Sequence, residues 1–257
     1  MDLGLSGKRV LVTGSTAGIG FAAAKLFAQE GAHVIVNGRT QARVDSAVAA
    51  TGAKQGVAAD VSTAAGCAAL ATQVPEVDVL VNNAGIFAPV AFEDISDADW
   101  LRFFETNVMS GVRLSRSYLP GMLKRDWGRI LFVSSESGLQ IPVEMIHYGT
   151  TKTAQLAVAR GLAERAKGTG VTVNSVLPGP TASEGVTEFV GNLAKHQQLT
   201  NAEMEKQFFT HARPSSLLQR FEKPEEIAAM IVYLASTQAS GTTGASVRVD
   251  GGVVRSI

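Results

Sequence analysis

Thr13-Gly14-Ser15-Thr16-Ala17-Gly18-Ile19-Gly20 is the stretch on which the fold turns. It follows the apolar run Val10-Leu11-Val12 and leads into Ile19 to Glu30, where small and apolar residues share one helical face. In a strand–turn–helix unit Gly14 permits a tight turn, Gly18 lets backbone approach a pyrophosphate, and Gly20 allows helix and strand to pack closely. The helix N-terminus then aims unpaired N–H groups at the phosphates. An ordinary glycine-rich turn is the alternative, and the position between a first strand and a helix argues against it. The spacing is Gly-x-x-x-Gly-x-Gly, not the more familiar Gly-x-Gly-x-x-Gly.

Working outward, the same unit recurs. Val34-Ile35-Val36 is followed by a polar turn and a helical stretch through Val48. Gly56 to Ala59 precedes a helix near Thr63 to Gln73, and Val77-Asp78-Val79-Leu80-Val81 is the next strand. Ser96-x-x-Asp99 reads as a helix start before a helical region ending near Lys124. Ile130 to Val133, a helix from about Tyr148 to Lys167, and Val171 to Leu177 follow. Pro224-Glu225-Glu226 opens another helix, with proline and acids where the free N–H groups lie, and Val247-Arg248-Val249 closes the series. Alternating strands and helices predict a doubly wound α/β fold, a Rossmann-type three-layer sandwich with a parallel sheet. The strand cores are continuous apolar runs, as burial on both faces requires. With no linker in evidence, residues 1–257 are expected to form one domain. The rhythm breaks at about 178–220, a long segment of the kind that usually carries function.

Composition narrows the classes. At 46% hydrophobic and 18% charged, the chain can bury a sizeable core. Net charge is zero with no Lys/Arg cluster, so neither nucleic acid nor an anionic membrane is the expected partner. The single cysteine, Cys67, excludes an intramolecular disulfide and a thiolate metal cluster, and no metal is expected. No signal pattern or membrane-length apolar run is seen, so a cytoplasmic location is expected.

Tyr148 and Lys152 are four residues apart and share one face of a helix. An ammonium beside a phenol stabilises the phenolate, so the pair is a candidate general acid or base. Any surface Tyr-x-x-x-Lys would look the same. The surrounding motifs decide.

Taken in order, they resemble the single-domain short-chain dehydrogenases/reductases. The resemblance rests on the glycine stretch, Asn82-Asn83-Ala84-Gly85 after the fourth strand, and Asn107 in the following helix. It extends through Ser134-Ser135-Glu136-Ser137-Gly138, Tyr148-x-x-x-Lys152, Pro178-Gly179 and Val249-Asp250-Gly251-Gly252. It implies an oxidoreductase with a nicotinamide cofactor, a carbonyl or alcohol substrate and a homotetramer or homodimer. By the same resemblance Ser135 orients the substrate oxygen, Tyr148 passes it a proton, and Lys152 holds the nicotinamide ribose and favours the tyrosinate. Asn107 is the family's relay asparagine, kinking its helix and holding a water. Taken alone, Asn107 would read as a helix-surface amide and Ser135 as a strand-end cap.

The resemblance also assigns the cofactor contacts. They are Gly14, Ser15, Thr16, Gly18, Ile19 and Gly20 at the phosphates, and Asp60 and Val61 at adenine. Asn83, Ala84 and Gly85 flank the ribose, although Asn83 fits sheet stabilisation equally well. Pro178, Gly179, Thr181 and Ser183 lie at the carboxamide, where Pro180 and Ala182 depart from the commoner pattern. The position where NAD-using relatives carry an acid is Gly38, followed by Arg39 and Thr40. A guanidinium without a carboxylate suits a 2′-phosphate, so NADP(H) is favoured and NAD(H) is the alternative.

The substrate pocket is expected between Leu139 to Glu144 and the 178–220 segment, near Phe87. Val186, Phe189, Val190, Leu193, Phe208 and Phe209 fit either a lid or ordinary packing. His211 and Arg213 could bind an anionic substrate group but read more readily as solvated loop charges, and His147 takes no catalytic role. An acyl carrier protein thioester is an alternative substrate. A dinucleotide-sensing protein without catalysis is the alternative from a different class, opposed by the intact Asn107, Ser135, Tyr148 and Lys152 set.

Overall fold

The apolar runs become strands because only a doubly covered sheet hides both of their faces. In the computed structural model, which describes residues 1–187, 190–191 and 199–256, seven strands form one parallel sheet. They are β1 (Arg9–Val12), β2 (His33–Gly38), β3 (Gln55–Ala58), β4 (Val79–Asn82), β5 (Gly128–Val133), β6 (Val171–Pro178) and β7 (Ser246–Val249), in the order β3-β2-β1-β4-β5-β6-β7. The register is continuous at the centre, where Leu11 pairs with both Ile35 and Leu80. The order of strand addition reverses between β1 and β4: β2 and β3 lie on one side of β1, β4 to β7 on the other. Such a switch point opens a crevice beyond the carboxyl ends of the strands.

The helices are α1 (Gly18–Gln29), α2 (Gln41–Thr51), α3 (Ala64–Gln73), α4 (Asp97–Phe104), α5 (Ser110–Lys124), α6 (Ile146–Arg165), α7 (Asn201–Gln207) and α8 (Pro224–Ala235). Ser96 caps α4 by accepting from Asp99 N, as its spacing predicts. Pro224 opens α8. Two cores sandwich the sheet. One side joins Val10, Val12 and Val34 to Phe27, Ile227 and Ile231; the other joins Leu11 and Leu80 to Leu70, Leu114 and Met122. Phe27 is fully buried, and truncating such a side chain to alanine typically costs about 3–5 kcal/mol.

The helical region before Lys124 is not uniform. A π-helical turn, Glu105–Met109, separates α4 from α5. Such wide turns are common at functional positions, and this one carries Asn107 inward.

No helix among the described residues is long and apolar enough to cross a membrane. Among the same residues no three His, Cys, Asp or Glu side chains are grouped as a metal ligand set.

Candidate active site

The glycine turn is held from the neighbouring strand end. Asn83, just after β4, donates through Nδ2 to the carbonyls of Thr13 (2.9 Å) and Gly14 (3.0 Å). Thr13 Oγ1 in turn accepts from the N–H groups of Asn83 (3.0 Å) and Ala84 (3.1 Å). Ser15 is buried, its Oγ donating to Val12 O at 2.7 Å and accepting from Asn37 N at 3.0 Å. Gly14 has φ +60°, and a Cβ there would lie 3.0 Å from Ala84 Cα. At Gly20 a Cβ would lie 2.4 Å from Asn83 Nδ2, so only glycine lets α1 sit this close. Helix α1 has no side-chain cap and no acid in its first turn. Its free N–H groups and positive end face the crevice where Ala17, Gly18 and Ile19 form the wall.

Arg39 and Thr40 follow the end of β2 and are exposed; they lie outside the crevice lining, which Arg43 joins from α2. A Cβ on Gly38 would lie 2.4 Å from Thr16 Cγ2, so the missing acid has a steric counterpart. Asp60 Oδ1 accepts from Ser62 N (3.0 Å) and Ser62 Oγ (2.7 Å), while Val61 is buried beneath it. Arg43 in α2 was not singled out in the sequence. Its Nη2 meets Glu184 Oε2 at 3.0 Å across the crevice mouth. Its position in the first turn of the helix that follows Arg39 was the available signal.

Ser135 is the second residue after β5, and Tyr148 and Lys152 project from the first turns of α6 toward it. Ser135 Oγ accepts from Ser137 N at 3.1 Å and lies 3.5 Å from Glu136 Oε2. Lys152 is buried, its Nζ donating to Val133 O at 3.0 Å and lying 5.5 Å from the Tyr148 ring centroid. Asn107 is fully buried: Nδ2 donates to Ile86 O and Thr151 Oγ1, each at 3.0 Å, and Oδ1 accepts from Ile86 N at 2.8 Å. Its main-chain carbonyl, released by the π turn, accepts from Gln155 Nε2. Gly85 lies between these groups, where a Cβ would be 3.3 Å from Asn107 Oδ1 and 3.6 Å from Lys152 Nζ. The imidazole of His147 packs away from this cluster, 4.0 Å from Phe103 and 6.0 Å from Trp100 between ring centroids.

The electrostatics follow from dehydration. Desolvation pushes the Tyr148 phenol up to about 12, opposed by the Ser135 hydroxyl, and burial pushes the Lys152 ammonium down to about 7. Tyr148 therefore stands protonated at neutral pH, able to donate to a carbonyl oxygen. That differs from the expectation that Lys152 lowers the phenol, because dehydration penalises both charged forms.

The far wall corrects the expectation for Arg213. It is buried, not solvated: Nε donates to Glu136 Oε1 and Nη1 to Glu144 Oε1, both at 2.9 Å. Burial works against its charge, but the two carboxylates outweigh it and raise the guanidinium's pKa. His211 is exposed, as expected, but it stands on a π-helical turn, Phe208–Ala212, and not on a loop. Val186, Val190 and Phe208 line the crevice beside Arg213, whereas Phe209 is buried against Phe208 and Phe221. Phe189 and Leu193 lie outside the described residues.

The crevice, about 700 Å³, is closed on its remaining side by residues after β6. Gly179 N bonds to Val249 O (2.8 Å) and Glu222 Oε2 (3.1 Å), and a Cβ on Gly179 would strike Asp250 Cα at 2.7 Å. Thr181 is buried, with Oγ1 donating to Gly179 O at 2.9 Å. Ser183 reaches back to the glycine turn, 3.2 Å from where a Cβ of Gly18 would be. Open backbone at α1, glycines at the points of closest approach and a cationic outer edge fit a phosphate-bearing dinucleotide. Burial of Glu222 pushes its carboxyl up to about 7, with the Gly179 N–H opposing and the charges of Glu226 and Asp250 adding.

Residues 8–193 match the short chain dehydrogenase family. The chain is 47% identical over 263 residues to YvaG, an uncharacterized oxidoreductase of Bacillus subtilis, with 100% of both proteins covered. It is 34% identical to a D-beta-hydroxybutyrate dehydrogenase of Cupriavidus necator, covering 97% of this chain and 99% of that one. The solved structure of L-sorbose reductase from Gluconobacter frateurii, complexed with NADPH and L-sorbose, superposes with a TM-score of 0.93 at 32% identity, covering 100% of both chains. With the sheet order, the crevice and the cluster around Tyr148 in place, these likenesses identify the chain as an oxidoreductase of the short-chain dehydrogenase/reductase family.

Proposed function

We propose that this protein is an NADP(H)-dependent reductase that interconverts a ketone or aldehyde with its alcohol, using Tyr148 as the proton donor and acceptor. The observation that carries the reading is the convergence of Ser135, Tyr148 and Lys152 on one wall of a crevice whose other end is the glycine turn. Ser135 would hydrogen-bond the substrate oxygen and hold it against the Tyr148 phenol. The raised phenol pKa suits donation in the reducing direction. When bound, the nicotinamide supplies or accepts the hydride. Lys152 would bind the cofactor's ribose, and Asn107 fixes the Ile86 backbone that forms the crevice floor.

Arg39 and the steric closure at Gly38 support NADP(H) over NAD(H), as does the NADPH named with L-sorbose reductase. Gly14, Ser15, Thr16, Gly18, Ile19 and Gly20 belong to the phosphate site in this reading. Asp60 and Val61 belong to the adenine site, and Asn83, Ala84, Gly85, Pro178, Gly179, Thr181 and Ser183 to the inner half. Residues 1–257 are taken as one domain, with 178–220 as its substrate segment. A cytoplasmic homotetramer or homodimer completes the reading; a monomer mass by light scattering would remove the oligomer.

A panel of carbonyl compounds and alcohols followed by NADPH absorbance, with NADH as control, tests the proposal. It should include an acetoacetyl thioester for the acyl carrier alternative. Reduction of a carbonyl with NADPH preferred is expected, and a clear NADH preference would sink the cofactor assignment.

A further inference from the structure

The least expected feature of the crevice is the chain of charges Glu136–Arg213–Glu144. Glu136 is buried beside Ser135, Arg213 is buried between the two carboxylates, and Glu144 is 41% exposed in its side chain. All three line the crevice. Two carboxylates against one guanidinium leave this wall one negative charge. Of the other charged side chains in the lining, Arg43 and Glu184 neutralise each other at the mouth, and Lys152 is directed to the Val133 carbonyl.

The hydrogen-bonding capacity left over is specific. Arg213 uses Nε and Nη1, the latter also donating to Ala212 O, while Nη2 donates to none of the described residues. Glu144 accepts through Oε1, and its Oε2 accepts from none of them. Arg213 Nη2 and Glu144 Oε2, on two side chains joined by the Nη1–Oε1 bond, are therefore a spare donor and a spare acceptor on the residues of this wall. A hydroxyl satisfies both, because it donates and accepts. A carboxylate could accept from Arg213 Nη2 but leaves Glu144 Oε2 without a donor, and it meets two carboxylates against one guanidinium. A plain alkyl ketone leaves both groups without a partner. Phe87, Met145, Val186, Phe208 and Phe221 complete the lining with apolar surface suited to carbon chains.

We infer that Glu136, Arg213 and Glu144 form the specificity wall of the substrate pocket, selecting uncharged, hydroxyl-bearing carbonyl compounds of the ketose type and rejecting carboxylates. The inference rests on the reductase reading above, with the carbonyl oxygen at Ser135 and Tyr148. Arg213 also ties the end of the substrate segment to the residue following Ser135, so wall and reacting centre are set by one side chain.

The test is kcat/KM at pH 7.5 for four probes with the preferred cofactor: erythrulose, 2-butanone, acetoacetate and methyl acetoacetate. Erythrulose is too short to close a stable ring and presents its ketone freely. Its kcat/KM is expected to exceed that of 2-butanone, and that of the ester to exceed acetoacetate, each by about tenfold or more. Glu144→Gln keeps an acceptor for Arg213 Nη1 and removes one negative charge. It should narrow the ester-to-acid ratio by about tenfold while cofactor Kd, read by fluorescence, stays unchanged. Acetoacetate as the best probe, or a ratio unmoved in Glu144→Gln, overturns the inference and leaves the reductase standing. Turnover confined to the other compounds of the carbonyl panel overturns it in the same way. No turnover of any carbonyl with either cofactor removes both.

Discussion

Lys152 donates to the Val133 carbonyl at 3.0 Å, so the ammonium is anchored to the end of β5 and not to the Tyr148 hydroxyl. Tyr148 stands at about 12 and Lys152 at about 7, both moved by loss of water. The two directions of the reaction then depend differently on pH. With Tyr148 as the proposed proton donor and acceptor, reduction uses the protonated phenol, which persists across pH 6–9, so its kcat/KM should change little in step with Tyr148 over that range. Oxidation uses the phenolate, whose fraction below the pKa rises about tenfold per pH unit. The kcat/KM for alcohol oxidation should therefore climb toward alkaline pH. A bell centred near neutrality would place the titrating base elsewhere.

Substitution separates the two halves of the pair. Tyr148→Phe removes only the hydroxyl and should lower turnover by about 10²–10⁴-fold with cofactor affinity retained. Retained turnover would take Tyr148 out of its role. Lys152→Ala removes the ammonium proposed to hold the cofactor's ribose and should weaken cofactor Kd as well as rate. Isothermal titration with NADPH distinguishes the two variants, and an unchanged Kd in Lys152→Ala contradicts its double assignment.

In the proposed cofactor assignment, the choice between NADPH and NADH turns on Arg39 and Arg43. Arg39 is exposed, whereas Arg43 is occupied by Glu184 in an exposed ion pair, a type worth about 0–1 kcal/mol. A 2′-phosphate can compete for that guanidinium at small cost. Arg39→Ala should lower kcat/KM for NADPH by about tenfold or more while leaving NADH within about twofold, the loss expected of one charge-assisted hydrogen bond. Arg43→Ala should act in the same direction with a smaller effect. Equal losses for both cofactors would mean that neither side chain reads the 2′-position.

Much of this architecture was legible because its signals are local. The runs at Val10–Val12 and Val34–Val36 and the glycine turn each announce a structure within a few residues, and the strands fall within two residues of where the runs place them. The cap at Ser96 and the proline at the start of α8 are equally short-range. Arg213 was misread because its partners, Glu136 and Glu144, are 77 and 69 residues away, and no periodicity encodes such a pairing. Glu222 escaped notice for the same reason: its partner is the Gly179 N–H, supplied by a strand end 43 residues earlier. The π turn at Asn107 was expected only as a kink by resemblance. Its backbone is set by the inward bonds of a single amide, not by a run of residue types.

Glu222 gives the clearest handle on stability. It is 4% exposed, and burial pushes its carboxyl up to about 7 from the ordinary 4.5. Between those values the folded chain holds a proton that the unfolded chain has lost, so stability falls as pH rises through this window. The penalty is fully present above about pH 7 and amounts to at most ~3 kcal/mol. Glu222→Gln retains an acceptor for Gly179 N–H and has no charge to bury. Its melting temperature should exceed the parent's at pH 8, by about 2–4 °C for each kcal/mol recovered, and match it near pH 5. Thermal melts at half-unit steps from pH 5 to 8 read the difference directly. Parallel curves for the two proteins would show that the Glu222 carboxyl does not titrate in this window, and that another acceptor holds the Pro178-Gly179 turn.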